Sequence, residues 1–248
     1  MPEPVLRNSP LSTVVCEVRF DAAPAEASQI LQLGEHLGEM GLTNYVAEQG
    51  LQVQMGPGQL QHTSLQRHRF TDSDGSSALT LDVNTFAYQT ALYSGIDDFL
   101  EIWEAVAGAV SASLGLQART RIGLRYINEV PLPNDQRETV EGAVNRELLP
   151  PWAAEPHLQA LSVSLHELRF VQGEGELAFR HGLQRQGGSA SPTYLLDYDY
   201  YEQRLRGFEV SNEAERLRRF NATVYDVFRW SITDQQYQAF EPEERPDA

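Results

Sequence analysis

The chain contains no lysine, and all 19 of its basic residues are arginine. That absence removes Schiff-base chemistry and the phosphate-gripping lysine of a Walker-type loop. Cysteine is reduced to one residue, Cys16, which excludes an internal disulfide and any cysteine-based zinc site. Lying inside a strand-like run, Cys16 reads as a buried, inert thiol. Apolar runs of membrane-spanning length are missing as well. The start "MPEPVLRNSP" has neither a basic n-region nor an apolar h-region, so no signal peptide, no membrane partner and a cytoplasmic location are expected.

Positive charge is scarce. Against 19 basic residues stand 35 acidic ones, for a net charge of −16. Such a surface repels phosphate backbones, so nucleic acid is not an expected partner, and it favours neutral or cationic ones. The hydrophobic share of 41% and charged share of 22% are ordinary for a globular protein, which excludes wholesale disorder. At 248 residues the chain can bury a core as one large domain or two small ones.

Catalytic signatures are lacking too. There is no GxSxG and no HExxH, and the six histidines (His36, His62, His68, His157, His166, His181) show no familiar metal-ligand spacing. "GPG" at 56–58 and "GEGE" at 173–176 read as turns, not as a strand–GxGxxG–helix phosphate cradle. No catalytic residue, metal or cofactor is therefore expected. The alternative is a metal-dependent oxygenase or hydrolase whose histidines and carboxylates gather from distant positions.

What is present is strand and helix patterning. "STVVCEVRF" alternates as a strand, and Ile30, Leu33 and Leu37 recur at helical spacing between Pro24 and Met40. Short strands are expected around "LQVQM" and "QRHRF", then one strand over "ALTLDVNTFAYQTA". "SGIDDFLEIWEAVAGAVSASLG" predicts a helix with a Phe99/Ile102/Val106/Ala109/Val110 stripe, an N-cap at Asp97 or Asp98 and a stop at Gly115. The order then repeats: a strand "RTRIGLRYINEV", a helix over 136–149, three strands "LSVSLHELRFVQ", "GEGELAFRHGL" and "TYLLDYDYYEQ", and a helix over 212–232. The first two of those three are joined by a glycine-rich hairpin. The expected fold is thus α+β, with two similar β-α-β-β-β-α halves, 1–118 and 119–240, and an acidic, disordered tail at 241–248. Antiparallel half-sheets would join edge to edge under the long helices.

Two strands echo one another. Aligning Leu81 with Leu196 sets Asp82 on Asp197, Asn84 on Asp199 and Phe86 on Tyr201. Alternation sends Asp197, Asp199 and Tyr201 to one face, and Tyr198 and Tyr200 to the other, where they join the core. The acidic row either pairs with Arg19 and Arg125 across the sheet or is offered to a ligand.

Three blocks, "SPLSTVVCEVRF", "RIGLRYINEV" and "VFRWSITDQQYQAF", resemble the hallmark blocks of a sporadically distributed family of uncharacterised bacterial proteins of about this length. The resemblance runs from Asn8 to Phe240, and 121–130 is its most specific part. It supplies no catalytic residues. It implies a non-catalytic accessory protein that binds a peptide or precursor protein in ribosomal-peptide natural-product pathways and works alongside a modifying enzyme. Arg125, Tyr126 and Asn128 are the hallmark residues, as ligand contacts or as fold determinants. The candidate binding set is therefore Arg19, Asp82, Asn84, Arg125, Tyr126, Asn128, Asp197, Asp199 and Tyr201. Strand addition at a free edge, or a groove beside the paired strands, is the expected mode. A homodimer and an adaptor role toward a folded partner are the other partner readings.

Overall fold

Val14, Cys16 and Val18 alternate with Val15, Glu17 and Arg19, and that period of two sorts one face of a strand into the core. The computed structural model describes residues 4–22, 24–56, 59–132, 137–149, 161–185 and 192–243. Its frame is a nine-stranded, wholly antiparallel sheet in the order β3-β4-β5-β6-β2-β8-β11-β10-β9. The strands are β2 (Leu11–Arg19), β3 (Asn44–Gly56), β4 (Gln59–Thr71), β5 (Ser77–Asp82), β6 (Thr85–Thr90), β8 (Arg121–Pro131), β9 (Val163–Gln172), β10 (Gly175–Gln184) and β11 (Thr193–Glu202). Two short ribbons flank it: β1 (Val5–Leu6) with β13 (Pro242–Glu243), and β7 (Ala118–Arg119) with β12 (Arg206–Gly207).

Helices α1 (Ala27–Glu39), α2 (Ile96–Leu114) and α4 (Val210–Ser231) contribute buried apolar stripes, and α3 (Arg137–Ala143) and α5 (Asp234–Ala239) are shorter. Aromatic pairs join helix to sheet. Tyr88 meets Phe99 of α2, Tyr198 meets Phe228 edge-on, and Tyr200 meets Phe220 with ring centroids 4.6 Å apart. Tyr198 and Tyr200 are core residues, as their alternation predicts. Each such pair adds about 1 kcal/mol beyond the apolar area it removes from water.

Several sequence expectations are corrected. "ALTLDVNTFAYQTA" is not one strand but the hairpin β5–β6, turning at Val83 and Asn84. The first half therefore carries four strands after its first helix, not three. The short strands around "LQVQM" and "QRHRF" are parts of a long hairpin, β3–β4, which runs on well past its pairing with β5 at 68–71. The helix over 136–149 is α3 followed by a single 3₁₀ turn, Arg146–Leu148. Gly95 caps α2, with Asp97 and Asp98 in its first turn. Trp103, not the exposed Ile102, completes the α2 stripe, because Leu100, Ala107 and Val110 are buried too and turn the buried face toward its side of the helix. Residues 242–243 are β13, which corrects that part of the expected tail, and 244–248 lie outside the described residues.

No helix among the described residues is long and apolar enough to cross a membrane. The centre of the sheet is β2 against β8, with Val14 opposite Tyr126 and Cys16 opposite Leu124. The α-helices cover one face, and the other carries the charged side chains.

Candidate binding site

The helix-free face of the central strands is a ladder of ion pairs. Arg125 donates through Nε and Nη2 to both oxygens of Asp197, each at 2.7 Å, and Arg180 reaches the same carboxylate at 3.3 Å. Arg121 donates to Asp199 at 3.0 Å and to Glu17 at 2.7 Å. Its guanidinium also lies over the Tyr201 ring, 4.4 Å from the centroid. Gly123 makes that placement possible, since a Cβ there would meet Arg121 Nη1 at 2.7 Å. Arg19 pairs with Glu17 at 2.7 Å, and Tyr201 donates to Glu176. Burial pushes the Asp199 carboxyl above its ordinary range, opposed by Arg121 and Arg125. A ligand cation reaching Asp197, whose side chain is 4% exposed, has to displace a bidentate arginine first.

The nine expected site residues do not converge. Arg19, Arg125, Asp197, Asp199 and Tyr201 belong to the ladder. Asp82 shares that face but stands on β5, four strands from β11 or roughly 19 Å, where Arg67 holds it at 3.0 Å. Asn84 sits in the β5–β6 turn, where its carbonyl accepts from the Phe20 amide at 2.9 Å. The proposed equivalence with Asp199 therefore fails, because a turn residue is matched to the middle of a strand. Tyr126 and Asn128 point the other way, into the helical layer.

That second location is a pocket of about 150 Å³ between the N-terminal segment, the start of α2, α4 and the end of β8. Leu6, Leu11, Ile96, Val224 and Phe228 supply apolar walls. Its polar groups are neutral and tied together. Tyr126 donates to Asn221 Oδ1 at 2.5 Å, Tyr93 reaches the same oxygen at 3.4 Å, and the two hydroxyls lie 3.3 Å apart. Asn128 Nδ2 donates to the Leu196 carbonyl at 3.2 Å. Tyr198 also lines the pocket and is fully buried, and among the described residues its hydroxyl has no hydrogen-bond partner. Ser231 lies close to it but donates its own proton to the Val227 carbonyl at 2.7 Å. Burial raises the Tyr198 phenol well above its ordinary range. Asp97 at the rim is engaged by Arg218 at 2.9 Å. The arrangement suits an apolar group with a neutral polar end. Sequence reasoning named Tyr126 and Asn128, placed Tyr198 in the core, and missed Tyr93 and Asn221, which lie on a loop and in a polar slot of an otherwise apolar helix stripe.

A second charged cluster was not anticipated. Arg119 is fully buried and donates to Glu202 and Glu213, both at 3.1 Å, and to the Arg204 carbonyl at 3.1 Å. Arg216 bridges the same carboxylates at 3.0 and 3.1 Å, and Arg206 holds Glu202 at 2.6 Å. Burial alone would raise the Glu202 carboxyl, but Arg206 and Arg119 hold it below its usual range.

Among the described residues, no group of three His, Cys, Asp or Glu side chains is placed to hold a metal ion. Cys16 is buried, and burial raises its thiol well above the ordinary value. His181, stacked between Phe179 and Tyr194, is bonded to the Tyr194 hydroxyl at 2.8 Å. Burial, with His166 adding to it, lowers its pKa from 6.5 to about 4. The unfolded chain thus binds this proton before the folded one, so stability falls as pH drops from 6.5 to 4. The expected loss reaches roughly 3 kcal/mol at the acid end, read from urea unfolding midpoints across that range. His181→Phe should flatten the profile. Comparison with protein-family models, with curated proteins and with solved structures finds no match to this chain.

Proposed function

We propose that this chain is a non-catalytic binding protein that takes an extended peptide and anchors one large side chain of it in the Tyr126 pocket. The observation that carries this reading is the pocket's make-up. It is an open apolar cleft of about 150 Å³, the scale of one side chain, around the uncharged Tyr93–Tyr126–Asn221 cluster. The ion-pair ladder, by contrast, is internally neutralised and serves to fix the sheet. Arg19, Asp82, Arg125, Asp197, Asp199 and Tyr201 thereby act as sheet determinants, and Tyr126 and Asn128 as ligand-facing residues. A precursor peptide of a ribosomal natural-product pathway, presented to a modifying enzyme, is the occupant that the three-block resemblance implies.

The same reading treats the chain as two related halves. The strand order supports it, since β2 and β8 meet at the centre and each is flanked by the strand that precedes the long helix of its own half, β6 before α2 and β11 before α4.

The test uses acetylated, amidated tripeptides with Leu, Phe, Tyr or Trp at the centre, added in excess during thermal unfolding. A ligand that binds only the folded state raises the midpoint by mass action. Phe and Tyr peptides are expected to raise it, and Ser9→Trp, at the exposed rim of the pocket, is expected to abolish the rise while the protein stays folded. A shift that survives Ser9→Trp would move the site elsewhere, and no shift with any central residue would sink the anchored-peptide reading.

A further inference from the structure

The sheet has a free edge at β9. Among the described residues this strand has one neighbour, β10, and its outer side is unpaired. Edge strands are commonly blunted by charge or proline; this one carries Glu167 and Arg169 at its centre but also exposes Val163, Leu165, Leu168, Phe170 and Val171, the last 86% exposed. The Arg185 amide donates to the Ser162 carbonyl at 2.9 Å, on the same register as the β9–β10 ladder. Backbone groups alternate in direction along a strand, so even-numbered residues of β9 face β10 and odd-numbered ones from 163 to 171 face outward.

We infer that β9 pairs with β9 of a second copy of this chain, antiparallel about a two-fold axis at Leu168. Two requirements select this register. Outward-facing residues must meet outward-facing residues, so odd positions oppose odd positions. Charges must also oppose their opposites. With the axis at Leu168, Glu167 of each copy lies opposite Arg169 of the other, twice, and Leu165 lies opposite Val171, twice. On the helix-side face Leu168 meets its own copy, and Phe170 meets His166. Moving the axis one residue either way puts Glu167 on Glu167 or Arg169 on Arg169, and like charges directly opposite are unfavourable. The paired edges form about eight new backbone hydrogen bonds and cover the flanks of Leu165, Leu168, Phe170 and Val171. Glu167 and Arg169 hold one another at 2.7 Å within the strand, with Arg180 on Glu167 at 2.8 Å and Glu176 on Arg169 at 3.1 Å, and their side chains remain 36% and 58% exposed at the centre of the edge. The interface lies on β9, away from the pocket lining, and does not depend on the peptide reading.

The experiment is sedimentation velocity on the full chain from micromolar to near-millimolar concentration. Three samples join the wild type: Glu167→Arg, Arg169→Glu, and an equimolar mixture of the two variants. The wild type is expected to show a monomer–dimer equilibrium. Each variant alone places like charges across the axis and should weaken the dimer more than roughly tenfold. In the mixture every Glu again faces an Arg, so a heterodimer of near wild-type affinity should return. Circular dichroism melts confirm that both variants fold. A wild type that stays monomeric throughout, a dimer indifferent to either substitution, or a mixture that does not recover would each overturn the inference.

Discussion

Replacing Arg119 by leucine is expected to cost about 3–5 kcal/mol of folding free energy and to lower the melting midpoint by roughly 10 °C. The side chain is 0% exposed, and both its carboxylate partners are nearly so, at 1% for Glu202 and 2% for Glu213. Taking the cation away leaves two buried carboxylates with Arg216 and Arg206 to share between them. The penalty is that of buried acceptors losing their donor, Glu213 Oε1 and the Arg204 carbonyl above all, and it exceeds what the pair contributes when intact. A control separates these terms. The double variant Arg119→Leu/Glu213→Leu removes that carboxylate, leaves Glu202 to Arg206 and Arg216, and is expected to recover part of the loss. Arg125→Ala makes a useful contrast. Arg125 is 38% exposed and Asp197 keeps Arg180, so the expected cost is about 1 kcal/mol. Urea unfolding at pH 7 measures all three. A cost below 1 kcal/mol for Arg119→Leu would mean the network is hydrated rather than buried.

Gly182→Ala should detach the edge strand. Gly182 has φ +148°, a conformation L side chains rarely adopt, and a Cβ there would lie 1.9 Å from the Ser164 carbonyl oxygen. That oxygen belongs to β9 itself, so no side-chain rotation relieves the overlap. Either β10 or β9 has to move. The expected cost is at least about 3 kcal/mol. Amide exchange locates it, because protection should be lost along 163–172 while β8 and β11 keep theirs. Gly175→Ala is a partial parallel. The added Cβ would meet the Tyr200 ring at 2.6 Å and the Tyr201 carbonyl at 2.7 Å, and so would disturb β11 as well. Full protection of β9 in Gly182→Ala would show that the strand does not lie against this glycine.

The sequence was most legible where period and type agreed. Ile30, Leu33 and Leu37 of α1, the alternation of β2, and the Leu217/Phe220/Val224/Phe228 stripe of α4 all bury as their spacing predicts. It was least legible at β5–β6, where Val83 and Asn84 carry none of the glycine that usually marks a two-residue turn. The site was partly visible. The arginine–aspartate pairing followed from strand alternation, although Arg121, not Arg19, takes Asp199. Glu202 was open to the same reasoning: it continues the inward-facing series Tyr198, Tyr200, so a carboxylate in the core was readable two residues beyond the tyrosines. Its partners Arg119 and Arg216 were not, because they lie 83 and 14 positions away and only the folded chain brings them together.

The ribbon of β1 and β13 has a bearing on synthesis. Pro4, Val5 and Leu6 wall the pocket, yet Val5 and Leu6 are held there by Glu243 and Pro242. The opposite wall comes from α4, and the floor from β8. In a chain emerging from the ribosome these wall residues precede the strand that seats them by more than two hundred residues. Earlier in synthesis β2 likewise waits for β8, its central partner, across a sequence gap of more than a hundred residues, the kind of long-range closure that slows folding. Closure of the pocket therefore waits for Pro242 and Glu243, and a product that stops short of them leaves this wall unlatched.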